Sequence, residues 1–467
     1  IEILKDAAAA AIYGAQAAAG VVLITTKKGR AGQVQIDANI ERGVRNIARS
    51  VDYISSDQYV QYMAEALAFN SGVKAIDASF DLQPYIDTYK NFFLSFFGAD
   101  PSSDGTQLAN TNWQEEIYTE GITQKYNLSM SGGNGGTVYY ISTGYEDTEG
   151  TAFGSEFTRL NLRSNVDQQI NPNLLGSLAL NLGRTTQFGV CQDGNYISCP
   201  PSQAMFEAPM SYPLNADGSY NANTRFGLAN NPAVVENERD EKVQSAYITS
   251  RLNLIYNPID WVSITALVGL DYRNVQQESY ESPIADPGPS GSIYFRNRNV
   301  YNFNTSLVAN MAQSFNEVHN AELLVGAEYR RNYSDAVGVG AEGLTGNFFT
   351  VLDATSTPTQ AFGYNNEWRV GGYFANAKYN YDDKYFLSFV GRYDGHSRFG
   401  ADNRWGFFPS ISGAWRISEE DFFNVDFVNE LKVRAGYGTT GNSAIGNYAS
   451  RGLFSVSGSY RGSSGIT

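Results

Sequence analysis

Hydrophobic and polar residues alternate along most of this chain, from about position 33 onward. In the stretch 301–311 the odd positions are mainly apolar, whereas the even positions are mainly Asn and Ser. The stretches 125–131, 159–166 and 373–381 alternate in the same way. Because successive side chains of a strand point to opposite faces, a period of two predicts β-strands with one apolar and one polar face.

The connections between these strands alternate between short and long. Tight turns are predicted at 132–136, 171–173, 257–260, 315–317 and 382–384. Long loops are predicted at 44–121, 188–244, 274–299 and 332–369, the first of which includes a helical piece at 56–68. The last connection, 418–430, should be short and is not. Such alternation over roughly thirteen strands is typical of an up-and-down barrel with periplasmic turns and extracellular loops.

The length and the ends of the strands suit a membrane crossing. The alternating stretches run about ten or more residues, longer than the usual strand of a globular sheet. Aromatic residues gather near the strand ends, where they suit the interfacial girdles of a membrane barrel. These residues are Tyr256, Trp261, Tyr272, Tyr379, Tyr381, Tyr385 and Tyr393. The predicted fold class is therefore all-β, a transmembrane antiparallel β-barrel.

Composition agrees with this fold without deciding it. Charged residues make up 17% of the 467 residues and aromatic residues 13%, and there are 46 glycines. No apolar stretch reaches the roughly 18 residues that a membrane-spanning helix needs. A barrel does not need one, because only alternate residues of its strands face lipid. A soluble β-sandwich has a similar composition, so the class rests on the pattern.

Charge and residue chemistry narrow the function. A net charge of −15 excludes nucleic acid as the expected partner, since phosphate binding needs a basic surface. Cys191 and Cys199 are either a disulfide or two unrelated thiols. His319 and His396 lie far apart, and neither a metal site nor a cofactor motif is predicted. No hydrolase, metalloprotease or phosphate-loop motif occurs, so we expect no catalytic residues and no enzyme.

The first thirty residues follow a different pattern. An alanine-rich stretch at 6–19 predicts a helix, and the β-branched run at 21–26 after Gly20 predicts a buried strand. We therefore divide the chain into residues 1–30 and a barrel part at 31–467. The chain begins at Ile1, without an initiator Met or a signal peptide, and we expect it to be a fragment.

The opening residues resemble the end of the plug domain of TonB-linked outer-membrane proteins, most closely the SusC/RagA branch. The plug motif consists of Lys5, Asp6, Tyr13, Gly14 and Gly20. Three later stretches, 113–145, 391–423 and 431–442, resemble the same branch. The sequence departs from the family pattern at Gln16, at Ala19 and at His396, where family members usually carry Ser.

The resemblance implies a partial barrel, about 13 of about 22 strands, preceded by the C-terminal end of an α+β plug domain. It also implies an importer of oligosaccharides or peptides that works with a SusD-like surface lipoprotein. The TonB–ExbB–ExbD complex would energise it through a TonB box that this chain lacks, and outer-membrane lipid would surround it. A passive porin, a structural or adhesive barrel and a soluble carbohydrate-binding sandwich are the competing hypotheses.

Aromatic residues in the predicted loops are the candidate substrate contacts. They are Tyr212, Tyr220, Tyr294, Tyr364 and Trp368. Their rings either stack on sugar or pack against a lid protein. The segment 215–219 has some features of a calcium loop, but it lacks further oxygen ligands and a closing Glu. It is therefore predicted to be a β-turn.

Overall fold

The computed structural model describes residues 2–4, 20–23, 29–73, 76, 79–189, 200–221, 231–284, 290–425, 427–454, 456–460 and 463–466. The strands are β1 (Glu2–Leu4), β2 (Val21–Leu23), β3 (Gly32–Arg45), β4 (Gly121–Gly133), β5 (Thr137–Glu149), β6 (Glu156–Asn171), β7 (Leu174–Phe188), β8 (Arg239–Ile259), β9 (Val262–Glu281), β10 (Ser292–Phe315), β11 (His319–Leu344), β12 (Thr355–Tyr381), β13 (Tyr385–His396), β14 (Trp405–Arg416), β15 (Lys432–Gly438), β16 (Val456–Tyr460) and β17 (Ser463–Ile466). The helices are α1 (Ser56–Asn70), α2 (Gln83–Phe97), α3 (Trp113–Ile117), α4 (Pro200–Phe206) and α5 (Pro232–Glu238). Within these ranges, no helix has both the length and the apolar character needed to cross a membrane.

The strands β3 to β15 form one antiparallel sheet of 13 strands in which each strand pairs with its neighbours in sequence. This topology is the up-and-down order that the alternation of turns and loops predicted, and the strand count is confirmed. β3 and β15 are the two edges of the sheet. β1–β2 and β16–β17 are separate two-stranded pairs.

Two of the tight turns contain pairs of non-glycine residues in the left-handed region. Asn316 and Glu317 have φ of 48° and 62°, and Asp382 and Asp383 have φ of 51° and 52°. Two consecutive residues with positive φ match the twist of the flanking strands, and Asn and Asp tolerate this conformation best. The turns predicted at 315–317 and 382–384 are confirmed.

Three of the long loops are shorter than predicted, because the strands continue into them. β9 and β10 remain paired as far as Glu281 and Ser292, and β11 and β12 as far as Leu344 and Thr355. The loop prediction at 274–299 and 332–369 was therefore wrong for most of its length, and β8 already begins at Arg239. In these extensions polar side chains occur on both faces, so neither face is uniformly apolar and the regular alternation that marks a strand is lost, while the backbone hydrogen bonds continue.

The two faces of the large sheet differ in polarity. On one face apolar side chains are exposed, for example Leu307 at 57%, Val268 at 44% and Leu252 at 43% of their full area. We call it the outer face. The opposite, inner face carries Asn, Ser, Thr and Arg at the alternate positions of the same strands. A sheet that exposes its apolar side chains is the reverse of a sheet in a water-soluble domain and is suited to lipid.

The apolar band of the outer face has the height of a membrane. On β10 it runs from Tyr301 to Met311. Over this distance a strand advances about 33 Å, which is about 25 Å along the axis of a barrel whose strands tilt by about 40°. This is the usual height of the apolar band of an outer-membrane barrel.

The buried hydrophobic core lies in the connections. The β3–β4 and β7–β8 connections pack together through Val60, Phe93, Phe97, Ala208 and Met210. We call this unit, formed by the described residues of 46–120 and 200–221, the loop subdomain. The indole nitrogen of Trp113 donates to the carbonyl of Ala208 at 2.9 Å and so ties the two connections to each other. Their association was not predicted.

Helix α1 confirms the helical piece predicted at 56–68 and shows why it starts where it does. The Ser55 hydroxyl accepts a hydrogen bond from the Gln58 amide at 3.2 Å. In return, the Ser55 amide donates to the Gln58 side chain at 2.8 Å. This capping box satisfies amide groups that have no partner within the helix.

The strand predicted at 21–26 is seen at 21–23, and residues 24–26 lie outside the described residues. β2 covers Val21–Leu23 and pairs with β1, and Val22 is 58% exposed. The prediction that this strand is buried is therefore wrong for Val22, since no other described element covers the β1–β2 pair at that position. Nearby, Gly29 approaches the backbone of β5 so closely that an added Cβ would lie 2.4 Å from the Tyr139 carbonyl oxygen.

Candidate functional site

Aromatic rings on the inner face lie flat across glycines of the neighbouring strand. Gly183 on β7 is opposite Tyr247 on β8, and a Cβ at Gly183 would meet the Tyr247 ring at 2.2 Å. In the same way, a Cβ at Gly326 on β11 would meet the Phe374 ring on β12 at 2.6 Å. Each glycine therefore makes room for a ring that lies along the wall with one side toward the interior.

A buried charge cluster joins β11, β12 and β13 on the inner face. The Arg392 Nε lies 2.8 and 2.9 Å from the two carboxylate oxygens of Asp394, and its Nη2 donates to Glu328. The guanidinium also lies 5.2 Å from the centre of the Phe374 ring. Arg392 and Asp394 are only 3% and 4% exposed. Because these charged groups satisfy each other, the cluster holds the three strands together rather than offering a free binding group.

An inner-face pocket of about 380 Å³ lies on β7 to β10. The lining residues with inner-face side chains are Thr185, Ser245, Tyr247, Thr249, Asp271, Arg273 and Asn302, and Tyr272, whose ring lies on the outer face, also borders the pocket. The strand register explains their proximity, because Tyr247 pairs with Arg273, and Asp271 pairs with both Thr249 and Asn302. Hydroxyl, carboxylate, guanidinium and amide groups thus converge beside an aromatic ring.

Partners within the wall fix the orientation of two of the pocket's side chains. The Arg273 Nε donates to the hydroxyl of buried Ser245 at 3.0 Å. The Asn302 side-chain oxygen accepts from the Asn332 amide group at 2.6 Å. Within the described ranges the other nitrogens of Arg273 and the amide nitrogen of Asn302 make no further hydrogen bond, so their bonding capacity remains.

The outer face changes from apolar to polar at a row of three tyrosines. Tyr272, Tyr301 and Tyr333 form a row across β9 to β11, with ring centres 4.8 and 6.1 Å apart. Beyond them, Asn299 accepts from Asn274 at 2.9 Å and donates to Asp335 at 3.1 Å. The tyrosine row marks an edge of the apolar band, and the strands project past it into a polar medium.

A histidine and an arginine fix the connection after β13. The His396 ring stacks on Trp368 with centres 5.6 Å apart, and its Nδ1 accepts from the Arg398 backbone at 3.2 Å. The Arg398 side chain donates to the Asn447 side chain at 2.7 Å and to the Ser443 carbonyl at 3.1 Å. This arrangement, which we call the loop clamp, fastens the segment 443–447 to the end of β13.

His396 is held neutral by its surroundings. It is the last residue of β13 and lies beyond the stacked outer-face rings of Tyr393 and Trp405, which mark the edge of the apolar band on these strands. Burial lowers the pKa of His396 to about 4, and the Arg398 cation adds to this effect while Asp394 opposes it. The ring therefore acts as a hydrogen-bond acceptor and as an aromatic surface at neutral pH.

The five candidate aromatic residues fall into two groups. Tyr294, Tyr364 and Trp368 lie at inner-face positions of the strand extensions, where the Tyr364 hydroxyl accepts from Arg296 at 3.4 Å. Tyr212 and Tyr220 belong to the loop subdomain. The structure thus places three candidates on the strand extensions and two in the loop subdomain, and it does not bring all five together.

The two loop candidates have structural surroundings of their own. Burial, assisted by the nearby Asp100 charge, raises the pKa of Tyr212. Tyr220 pairs with Leu214 across a turn in which the Asp217 carboxylate accepts from the Ser219 amide at 3.0 Å. The β-turn predicted at 215–219 is therefore confirmed.

Several predicted site residues lie outside the described residues. They are Lys5, Asp6, Tyr13 and Gly14 of the plug motif and the pair Cys191 and Cys199. Gly20 is described and has a φ of 87°, a conformation that favours glycine. Within the described ranges no group of three or more His, Cys, Asp or Glu side chains could hold a metal ion.

Sequence reasoning missed the inner-face pocket and the charge cluster. Each is assembled from more than one strand of the sheet, so no local motif marks the whole set. β13 contains both Arg392 and Asp394, yet the sequence did not predict that they form a cluster with Glu328. The one available signal was the inward position of Arg and Asp in an otherwise neutral strand.

A polar interior, an apolar outer band bordered by tyrosines and an up-and-down order of strands together define the wall of a membrane β-barrel. A family model described as TonB dependent receptor-like, beta-barrel matches residues 206–465. The chain therefore belongs to the TonB-dependent receptor family, and its relatives place it in the SusC/RagA type.

Two relatives extend the match over nearly the whole chain. TonB-dependent receptor P3 of Formosa agariphila is 29% identical over 468 residues, which cover 97% of this chain and 43% of that protein. TonB-dependent receptor SusC of Bacteroides thetaiotaomicron is 26% identical and covers 98% of this chain and 45% of its own length. The chain thus spans less than half the length of these relatives.

A solved structure shares the fold. The RagAB peptide importer in its 'closed-closed' state superimposes with a TM-score of 0.81 at 24% identity. The match covers 100% of this chain and 53% of the other. The described strands are thus a partial barrel of this type, preceded by the end of a plug domain.

Proposed function

We propose that the protein is an active importer that carries bulky nutrients, oligosaccharides in the first place, through a plugged barrel in the outer membrane of a Gram-negative bacterium. The observation that carries the proposal is the 13-stranded sheet with an apolar outer and a polar inner face. A polar interior wide enough for a large solute is what such a cargo requires.

The two ends of the barrel suggest its orientation. Short turns join the strands at one end, and the loop subdomain and the strand extensions lie at the other. Because outer-membrane barrels have short periplasmic turns and longer extracellular loops, we place the loop subdomain outside the cell. The polar network around Asn299 on the outer face supports this placement, since it lies beyond the lipid.

The opening residues support an energised mechanism. We propose that residues 1–30 are the end of a plug and that 31–467 form the wall around it. The close approach of Gly29 to the Tyr139 backbone supports a fixed passage from one to the other. Opening such a barrel needs work on the plug, which the TonB–ExbB–ExbD complex would supply.

A surface lipoprotein related to SusD is the proposed external partner. RagAB is a peptide importer by name, and SusC is a TonB-dependent receptor of the same type. A peptide is therefore the alternative cargo for this chain. In either case Tyr294, Tyr364 and Trp368 on the strand extensions are proposed contacts for the cargo or for the lid, and Tyr212 and Tyr220 are proposed contacts for the lid.

The test starts from the full-length gene. A folded barrel would appear as a band in the outer-membrane fraction that shifts when the sample is boiled. Deletion of the gene should abolish growth on one polymer, and loss of TonB should abolish the same growth. Uptake that continues without TonB would indicate a passive porin, whereas a soluble protein without a heat shift would overturn the membrane barrel.

A further inference from the structure

The pocket on β7 to β10 is lined by one acidic group, Asp271. Among the described residues, the Asp271 carboxylate has no hydrogen-bond or ion-pair partner. It shares the inner face of β9 with Arg273, whose orientation is fixed by Ser245 at 3.0 Å. An acceptor and a set of donors therefore stand side by side, each with bonding capacity left.

An aromatic surface lies next to these groups. Tyr247 is the cross-strand partner of Arg273, and its ring covers Gly183 on the other side. The glycine keeps the ring flat against the wall, so that one ring face is available to a ligand in the pocket. A flat ring beside paired donors and acceptors matches a pyranose, whose C–H face is apolar and whose edge carries hydroxyl groups.

The backbone around the pocket disfavours a peptide. β7 to β10 are interior strands, and each pairs with a neighbour on both sides. Their amide and carbonyl groups are therefore occupied, and a peptide cannot join as an added strand, a common way in which extended peptides bind a sheet. Only side chains remain for recognition, and most of those in the pocket are hydroxyl, carboxylate or guanidinium groups that suit sugar hydroxyls.

We propose that this pocket is a transit subsite for one neutral sugar ring of the imported glycan, with Tyr247 under the ring and Asp271 and Arg273 on its hydroxyls. The inference rests on the importer function proposed above and decides between its two cargo classes. It is distinct from the aromatic residues on the strand extensions, since Asp271 and Asn302 lie on the inner face at the height of the tyrosine row.

Binding to the purified full-length protein tests the proposal. The probes are neutral oligosaccharides from starch, mannan, xylan and galactan, with a tryptic peptide digest as the competing class. The variants are Asp271→Asn, Tyr247→Ala and Gly183→Ala, the last of which displaces the ring without removing a functional group. Tyr140→Ala, an inner-face tyrosine of β5 outside the pocket, is the matched control, and the heat-shifted band verifies folding.

We expect one glycan class to bind. Asp271→Asn should weaken its binding about tenfold or more, and Tyr247→Ala and Gly183→Ala about three- to tenfold. Tyr140→Ala should bind as the wild type does. If the glycan binds and all three pocket variants match the control, the subsite is refuted. Binding of peptides alone refutes the sugar inference and leaves the importer standing, whereas absence of binding and of TonB-dependent uptake refutes both.

Discussion

The barrel wall and the loop subdomain use the same side chains in opposite ways. Phe93 of the loop subdomain is fully buried among Tyr59, Tyr89 and Phe97, with ring centres 5.7 to 6.1 Å away. Phe303 of the wall points away from the protein and is 37% exposed. One region hides its apolar side chains from water, and the other presents them to its surroundings.

The difference identifies the solvent of each region. Apolar surface moves out of water whenever an apolar environment is available. In the loop subdomain that environment is the protein itself, as in a soluble domain. In the wall we expect it to be lipid, because the inner face is polar and no described part of the chain covers the outer apolar side chains.

The largest expected effect tests the core of the loop subdomain. Phe93→Ala removes a ring from a close-packed cluster and leaves a cavity, so we expect the subdomain to lose about 3–5 kcal/mol. The barrel should persist with its heat-shifted band, while the connection 46–120 becomes sensitive to protease. Phe303→Ala is the matched change on the wall and leaves no cavity. Equal protease sensitivity of both variants would contradict the comparison.

A smaller effect is expected from a charge on the outer face. Leu307 is 57% exposed and in water would tolerate almost any residue. In lipid, Leu307→Arg should cost about 2–4 kcal/mol. We therefore expect less folded barrel in the outer-membrane fraction. Asn304→Arg on the inner face of the same strand should assemble normally, and normal assembly of both variants would show that the outer face is not in lipid.

The smallest effect concerns the loop clamp, where a polar contact rather than apolar burial fixes the chain. The pKa of His396 is lowered from 6.5 to about 4 in the closed clamp. As the pH falls, the His396 ring is therefore protonated at a higher pH in the opened clamp than in the closed clamp, which favours opening. Stability is thus lost as the pH falls below 6.5 and stops changing below about 4. One unit below 6.5 the loss is about 1.4 kcal/mol.

Limited proteolysis of 439–451 at neutral and mildly acidic pH measures this loss. Acidification should raise the cleavage rate in the wild type, and His396→Asn should make the rate independent of pH over this range. His319 provides the control, because it is the first residue of β11, beside the tight turn and away from the loop clamp. Its Nδ1 lies 2.7 Å from the Tyr379 hydroxyl. A variant at His319 that removes the pH dependence would rule out the clamp as its source.

The sequence predicted the wall well because each strand carries its own signal. The alternation at 301–311 and the turn at 382–384 depend on local geometry, so both could be found without knowledge of neighbours. The strand extensions at 274–281 and 332–344 were not predicted. Polar side chains occur on both of their faces, so the alternation is irregular, and only pairing with β10 and β12 shows that they are strands.

The candidate site was predicted less well. Tyr294, Tyr364 and Trp368 were chosen as loop aromatics and lie on strands instead. The pocket around Asp271 and Tyr247 was not predicted at all. Its members come from four strands, and a strand register is needed before Asp271, Thr249 and Asn302 can be placed side by side.

The sequence by itself determined the period of two, the alternation of turns and loops and the family, since these depend on neighbouring residues along the chain. Only the tertiary structure decided that the β3–β4 and β7–β8 connections share one core. The helical spacing of apolar residues in α2 marks Phe93 and Phe97 as one buried face, but it does not show which segment covers that face. It also decided which polar side chains meet on the inner face. The reason is physical: contacts between distant segments depend on register and closure, and these follow from the packing of the whole chain.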